Sequence, residues 1–194
     1  MPLLPPQGLG TRPITDRVKE SVFSILQERF PCRCVADVFC GTGSLGLESL
    51  SRGAQHAIFA DGDRTVLKRL KKNITKLGFQ SQATVIQANL AARGMAALHC
   101  RGAESDDGDD LPCELVFLDP PYRLSCKTSC DSLLGRWLEQ LNRQLPDRAL
   151  VVVRHEVRAD LLRNYGTLYL HDRREYGSMA VSFLEKIVGR IPPY

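Results

Sequence analysis

The sequence predicts an α/β fold: one doubly wound domain whose mostly parallel sheet ends in an antiparallel hairpin. Three observations predict it. Strand-like apolar runs alternate with amphipathic helical segments, the pattern that parallel strands joined by crossover helices require. A glycine turn, Gly41-Thr42-Gly43-Ser44-Leu45-Gly46, follows the first strand and opens a helix. Asp37, Asp61, Asn89 and Asp119 fall at or just past the carboxyl ends of strands, where sheets of this kind bind ligands.

The elements follow in order. A first helix spans about Thr15 to Glu28, with Val18, Val22, Ile25 and Leu26 on its apolar face; Thr15 or Asp16 caps it and Pro31 stops it. Strands are expected near Cys34–Phe39, Ala57–Asp61, Ala83–Gln87, Leu115–Leu118 and Ala149–Arg154. Helices lie between them, near Ser44–Ser51, Arg64–Leu77, Leu90–Leu98 and Ser129–Arg143. In the Arg64 helix, Val66, Leu67, Leu70, Ile74 and Leu77 keep helical spacing. That spacing leaves Arg64, Lys68, Lys71, Lys72 and Lys76 as a solvated outer face, with Asn73 on the surface. Two closing strands near Thr167–His171 and Met179–Lys186 form the hairpin. Neither a repeat nor a linker interrupts the pattern. Residues 1–14 read as an irregular lead-in, 15–30 as an amino-terminal helix and 31–194 as the Rossmann-like core of a single domain.

A chain of 194 residues with 43% apolar content can bury one core of ordinary size. Runs such as Leu150-Val151-Val152-Val153 are far too short to cross a bilayer, and no positive charge precedes Arg12. A soluble, cytoplasmic chain without a secretory signal is expected. The seven cysteines are odd in number, and Cys32-x-Cys34 and Cys126-x-x-x-Cys130 are not paired zinc hooks. Reduced cysteines packed as small apolar residues are expected, with no metal.

The formal charge is +4, from 26 basic and 22 acidic residues. Five of the acids, Glu104, Asp106, Asp107, Asp109 and Asp110, sit in one run that reads as a solvated connection. Elsewhere 26 basic residues face 17 acidic ones, a balance of +9 that suits a polyanionic partner.

Gly41, Gly43 and Gly46 match G-x-G-x-x-G, a spacing that fits a dinucleotide site as well as others. Asp37 chooses between them, because a carboxylate on the loop approach repels phosphate and suits a cationic ligand. S-adenosylmethionine, with an ammonium and a sulfonium, is such a ligand. Gly41 and Gly43 let the backbone pass close to it. Asp61 is placed to accept both hydroxyls of a ribose, for either cofactor.

The run Leu115-Val116-Phe117-Leu118 leads into Asp119-Pro120-Pro121-Tyr122. An amine on a nucleobase is a weak nucleophile, since its lone pair is delocalised into the ring. Acceptors that take its two N–H groups in tetrahedral geometry push the nitrogen toward a reactive shape. Asp119 offers one acceptor and the Pro120 carbonyl the other, and neither proline has an N–H to compete. Tyr122 offers a face for a flipped base, worth roughly 1–3 kcal/mol. An Asp-Pro turn with Tyr122 as packing is the alternative.

With these motifs the chain resembles the RsmD-type bacterial methyltransferases, from about Gly8 to Glu185. The resemblance rests on Thr11-Arg12-Pro13-Ile14-Thr15-Asp16-Arg17-Val18-Lys19-Glu20, on Asp37–Glu48, on Phe117–Tyr122 and on Tyr176-Gly177-Ser178. The first string is the most discriminating. Where relatives usually carry a basic strand pair ahead of it, this chain has Met1-Pro2-Leu3-Leu4-Pro5-Pro6. The resemblance implies a class I S-adenosylmethionine-dependent methyltransferase fold and transfer of a methyl group to the exocyclic N2 amine of a guanine in 16S ribosomal RNA. Asp119 is then the catalytic acceptor, with Pro120 and Tyr122. Asp37, Gly41, Gly43, Asp61 and the Asn89-Leu90 pair hold the cofactor, Asn89 at the adenine edge or as a helix N-cap. The implied partner is ribosomal RNA or a small-subunit assembly particle, bound by a monomer. Arg12, Arg17 and Lys19 crowd the start of the first helix as candidate phosphate contacts, unless Arg17 pairs with Asp16 or Glu20 instead. Rival readings are adenine-N6 methylation of DNA or RNA, a non-catalytic RNA-binding relative and an NAD-dependent oxidoreductase.

Overall fold

The computed structural model describes residues 15–95, 100–104, 110–111 and 113–189. In chain order its elements are α1 (Asp16–Ile25), β1 (Cys34–Val38), α2 (Ser44–Ser51), β2 (His56–Asp61), α3 (Arg64–Leu77), β3 (Ala83–Gln87), α4 (Leu90–Arg93), β4 (Cys100–Glu104), β5 (Asp110–Leu111) and β6 (Leu115–Leu118). After these come α5 (Tyr122–Ser125), α6 (Leu133–Gln144), β7 (Leu150–Glu156), β8 (Asn164–Tyr165), β9 (Leu168–Tyr176) and β10 (Met179–Lys186). Eight strands form one sheet in the order β3-β2-β1-β6-β7-β10-β9-β8. The first five of these run parallel, and β10 pairs antiparallel with both β7 and β9. This is the mixed sheet with a closing hairpin that the sequence predicts.

Two cores flank the sheet, because side chains alternate sides along each strand. Val35, Ala57, Phe59, Leu115, Phe117, Leu150, Val152, Val181 and Phe183 pack against α1, α2 and α3. Ala36, Val38, Ile58, Ala60, Val116, Leu118, Val151, Val153 and Leu184 pack against Leu134, Trp137, Leu138 and Leu141 of α6. The central strands are buried on both faces, which is why they read as continuous apolar runs.

Several boundaries differ from expectation. The first helix ends at Ile25, with a single tight turn over Gln27–Arg29. Its buried side includes Phe23, while Ile25 is 40% exposed. The helix expected to reach Leu98 stops at Arg93, where Gly94 turns out of helical geometry; residues 96–99 lie outside the described part. The helix expected from Ser129 begins at Leu133, because the Ser132 hydroxyl accepts from the Gly135 amide and caps it there. The strand expected over Thr167–His171 runs on to Tyr176 through charged residues, half-buried at Asp172 and Arg173 and exposed at Arg174 and Glu175, since β10 offers a full-length partner. The acidic run is flanked by a small ribbon of β4 and β5, with Glu104 opposite Asp110; residues 105–109 lie outside the described part. Asn73 is fully buried rather than on the surface of α3, whereas Arg64, Lys68, Lys71, Lys72 and Lys76 are exposed.

Candidate active site

The carboxyl ends of β1, β2, β6 and β7 meet at one edge of the sheet. Alternation sets Asp37, Asp61, Asp119 and Arg154 on the side that faces α1, α2 and α3. The loop after β1 is held from several directions. Phe39 and Cys40 both donate to the Ala60 carbonyl, at 2.9 and 3.1 Å. Phe39 sits at φ +61°, a costly conformation for an aromatic residue, and its ring packs 5.1 Å from Trp137 of α6. The Asp37 carboxylate accepts from the Gly46 amide at 2.8 Å, which ties β1 to the first turn of α2. From below, the Asn73 amide donates to the Thr42 carbonyl at 3.2 Å.

The two loop glycines have different reasons to be glycine. Gly41 has φ +55°, and a Cβ there would meet nothing within 4 Å, so this part of the loop borders open space. Gly43 has φ +85°, and a Cβ there would fall 2.3 Å from a Leu70 methyl carbon, inside the core. Asp61 faces the loop: one carboxylate oxygen accepts from the Gly41 amide at 2.9 Å, the other from the Asp63 amide at 2.9 Å. Each oxygen keeps a further lone-pair direction.

Asp119 follows β6 and is joined to Arg154 by a hydrogen bond from Nε to Oδ1; their side chains are 17% and 9% exposed. The same guanidinium lies 5.7 Å from the centroid of the Tyr122 ring, whose hydroxyl is buried. A cavity of about 10 Å³, about one water molecule in size, is walled by Val22, Leu45, Val152 and Val181 beside the Asp119–Arg154 pair.

The acids are electrostatically linked. Burial pushes Asp37 up to about 8, opposed by its bond from Gly46 and reinforced by Asp119 and Asp61. Burial also raises Asp119; Arg154 opposes this rise and Asp61 adds to it. Burial lifts the Cys40 thiol well above its usual range, with Asp37 and Asp61 beside it, so it stays neutral. Both Asp37 and Asp119 are raised in part by the charge of Asp61, and negative charge at that position suits a cationic ligand and opposes a pyrophosphate. The open space at Gly41 and the spare lone pairs of Asp61 fit the hydroxyl groups and positive charges of S-adenosylmethionine.

The remaining candidates divide. Asn89 caps α4 through a bond from the Ala92 amide at 3.2 Å, and Leu90 is buried in the core under α6. Arg12 lies outside the described residues. Arg17 is exposed and makes no ion pair among the described residues, while Lys19 lies 3.8 Å from Asp16 and 3.9 Å from Glu48. The Tyr176 hydroxyl lies 2.7 Å from the Ser21 hydroxyl and ties the hairpin turn to α1. Among the described residues, no group of three or more His, Cys, Asp or Glu could hold a metal ion, and no helix is long and apolar enough to cross a membrane.

Arg154 and Asn73 carry no obvious signal in the sequence. Arg154 ends an apolar strand, as many solvent-facing residues do, and Asn73 is a polar residue amid lysines. Only the phase of Asn73, three residues after Leu70 and four before Leu77, points inward.

The family described as conserved hypothetical protein 95 matches residues 2–185. Ribosomal RNA small subunit methyltransferase D of Escherichia coli K12 is 33% identical over 181 residues, 93% of this chain and 82% of that protein. The solved structure of yhhF from Escherichia coli, described as a methyltransferase, superposes with a TM-score of 0.73 at 31% identity, over 95% of this chain and 91% of that one. An RNA methyltransferase from Salinibacter ruber, solved with S-adenosyl-L-homocysteine, shares the fold at a TM-score of 0.62 and 14% identity, covering 93% of this chain and 97% of its own.

Proposed function

This chain belongs to the conserved hypothetical protein 95 family, that of ribosomal RNA small subunit methyltransferase D, and from that premise we propose that it methylates small-subunit ribosomal RNA at a guanine N2. The observation that supports the chemistry is that Asp119 follows β6 at the same sheet edge, and on the same side of the sheet, as Asp61 and its contact with the Gly41 loop.

S-adenosylmethionine, when bound, supplies an electrophilic methyl group. The chain's own residues do the rest. Asp61 accepts the ribose hydroxyls and Asn89-Leu90 borders the adenine. Asp37 braces the loop through Gly46, and Gly41 lets the backbone approach the ligand. Asp119 and the Pro120 carbonyl accept the two N–H groups of the amine and turn its lone pair out of the ring plane. Tyr122 supports the base. No covalent enzyme intermediate is needed, because holding the amine in line is itself the main contribution.

Mass mapping of modified nucleotides in 16S RNA, from cells with and without this protein, tests the proposal. A methylguanine that depends on the protein is expected. A methyladenine in its place reassigns the substrate, and no protein-dependent methylation sinks the reading.

A further inference from the structure

We infer that Arg154 is the positioning residue of the candidate acceptor, fixing the plane of the Asp119 carboxylate and holding it in its charged, hydrogen-bond-accepting form. This rests on the function proposed above. The sheet register produces the contact: Leu118 of β6 pairs with Val153 of β7, so the next residues along, Asp119 and Arg154, are lateral neighbours. Arg154 Nε donates to Asp119 Oδ1, and neither side chain is more than 17% exposed. The Tyr122 ring, 5.7 Å from Cζ, holds the guanidinium from a second direction.

An amine N–H is held most strongly by an ionised acceptor whose lone pairs point at it. With Oδ1 engaged by Arg154, rotation of the carboxylate is arrested and Oδ2 is the oxygen left for substrate. The surroundings of Asp119 otherwise oppose its charge. Asp37 on β1 and Asp61 on β2 are acids, α1 and α2 present Val22 and Leu45, β10 presents Val181, and α5 presents the Tyr122 ring. Arg154 supplies the opposing positive charge. A planar guanidinium does this better than an ammonium, because its fork fixes an orientation as well as a charge.

The test uses the full chain with Arg154→Gln and Arg154→Lys and two readouts. Carbon-13 NMR of the aspartate carboxyls, assigned with Asp119→Asn, follows the titration of Asp119 without RNA or cofactor. Single-turnover transfer of labelled methyl from S-adenosylmethionine to small-subunit ribosomal RNA is followed over roughly pH 5 to 9. In Arg154→Gln the Asp119 titration moves up by about one pH unit or more, and the acid limb of the rate profile moves with it. In Arg154→Lys the titration stays near that of the parent, while the plateau rate falls about 10-fold. An unmoved Asp119 titration in a folded Arg154→Gln protein overturns the inference. Should that variant not fold, Arg154→Lys decides, and an undiminished plateau rate overturns it. If Asp119 shifts as described in a protein whose parent transfers no methyl, the proposed function fails while the hold of Arg154 on Asp119 stands.

Discussion

Asn73, fully buried on α3, donates a 3.2 Å hydrogen bond to the carbonyl of Thr42, 31 residues earlier in the glycine loop. A helix in the second layer thus fixes the height of a loop at the sheet edge. Asn73→Leu keeps the shape and removes the donor, leaving a buried carbonyl without that partner at a cost of about 1–3 kcal/mol. Thermal melts should show the loss of stability, and calorimetry should show weaker binding of S-adenosylmethionine because the loop is looser. Unchanged cofactor affinity would show that the loop holds its shape without α3.

Asp61 serves the loop and the proposed ligand together. Asp61→Ala should weaken S-adenosylmethionine binding by roughly 1–3 kcal/mol, through lost hydroxyl contacts and a lost acceptor for Gly41. Asp61→Asn keeps one acceptor and should lose less. The ligand should also raise the melting temperature of the parent, by mass action, while NAD does not. Stabilisation by NAD alone would remove the cofactor assignment.

Asp119→Ala should leave cofactor affinity nearly intact while methyl transfer falls by about two to three orders of magnitude. It should also destabilise the fold, because Arg154 is left buried without its carboxylate. The loss for a fully buried pair is about 3–5 kcal/mol, and the 17% exposure of Asp119 reduces it. Asp119→Asn separates the effects, keeping a neutral partner for Arg154 while removing the charge. Rate and melting temperature measured on both variants check this.

Asp37 gives a stability prediction with a definite sign. Its carboxyl is raised from 3.8 to about 8, so the folded protein binds this proton more tightly than the unfolded chain. The stability from that proton is complete below the unfolded value and is lost as pH rises through about 8. Urea unfolding of the ligand-free protein between those limits should show falling stability, and Asp37→Asn should flatten the trend. Parallel curves for the two proteins would contradict it.

Arg17 is the testable member of the proposed phosphate contacts, since it is exposed while Lys19 is engaged with Asp16 and Glu48. Arg17→Ala should weaken RNA binding regardless of sequence and lower the salt dependence by about one unit, with little change in melting temperature. Unchanged RNA affinity with a lower melting temperature would move the RNA contact elsewhere.

What could be read from the sequence was whatever lies within one contiguous segment. Strand, glycine loop and helix come in a row from Val35 to Ser51, and the Asp119 turn follows its strand directly, so local pattern alone locates them. Arg154 meets Asp119 across 35 residues, through the pairing of two strands whose relative register no local pattern specifies. The outer part of β9 was hidden for another reason: its Asp172–Glu175 stretch is charged throughout, and it extends only because β10 lies alongside. The end of α4 turned on a single glycine within an alanine-rich run that otherwise favours helix.

Arg154 and His155 are consecutive on β7, yet they serve opposite halves of the molecule. Arg154 meets Asp119 over the α1 side, while His155 is buried on the other side with its Nε2 2.8 Å from the Ser182 hydroxyl. Loss of one residue within β7 would therefore exchange their roles, sending an imidazole toward Asp119 and a guanidinium into an apolar interior. Losing two would keep the sidedness and merely shorten the strand. For anyone grafting or redesigning this sheet, the parity of β7 is a stricter constraint than its length.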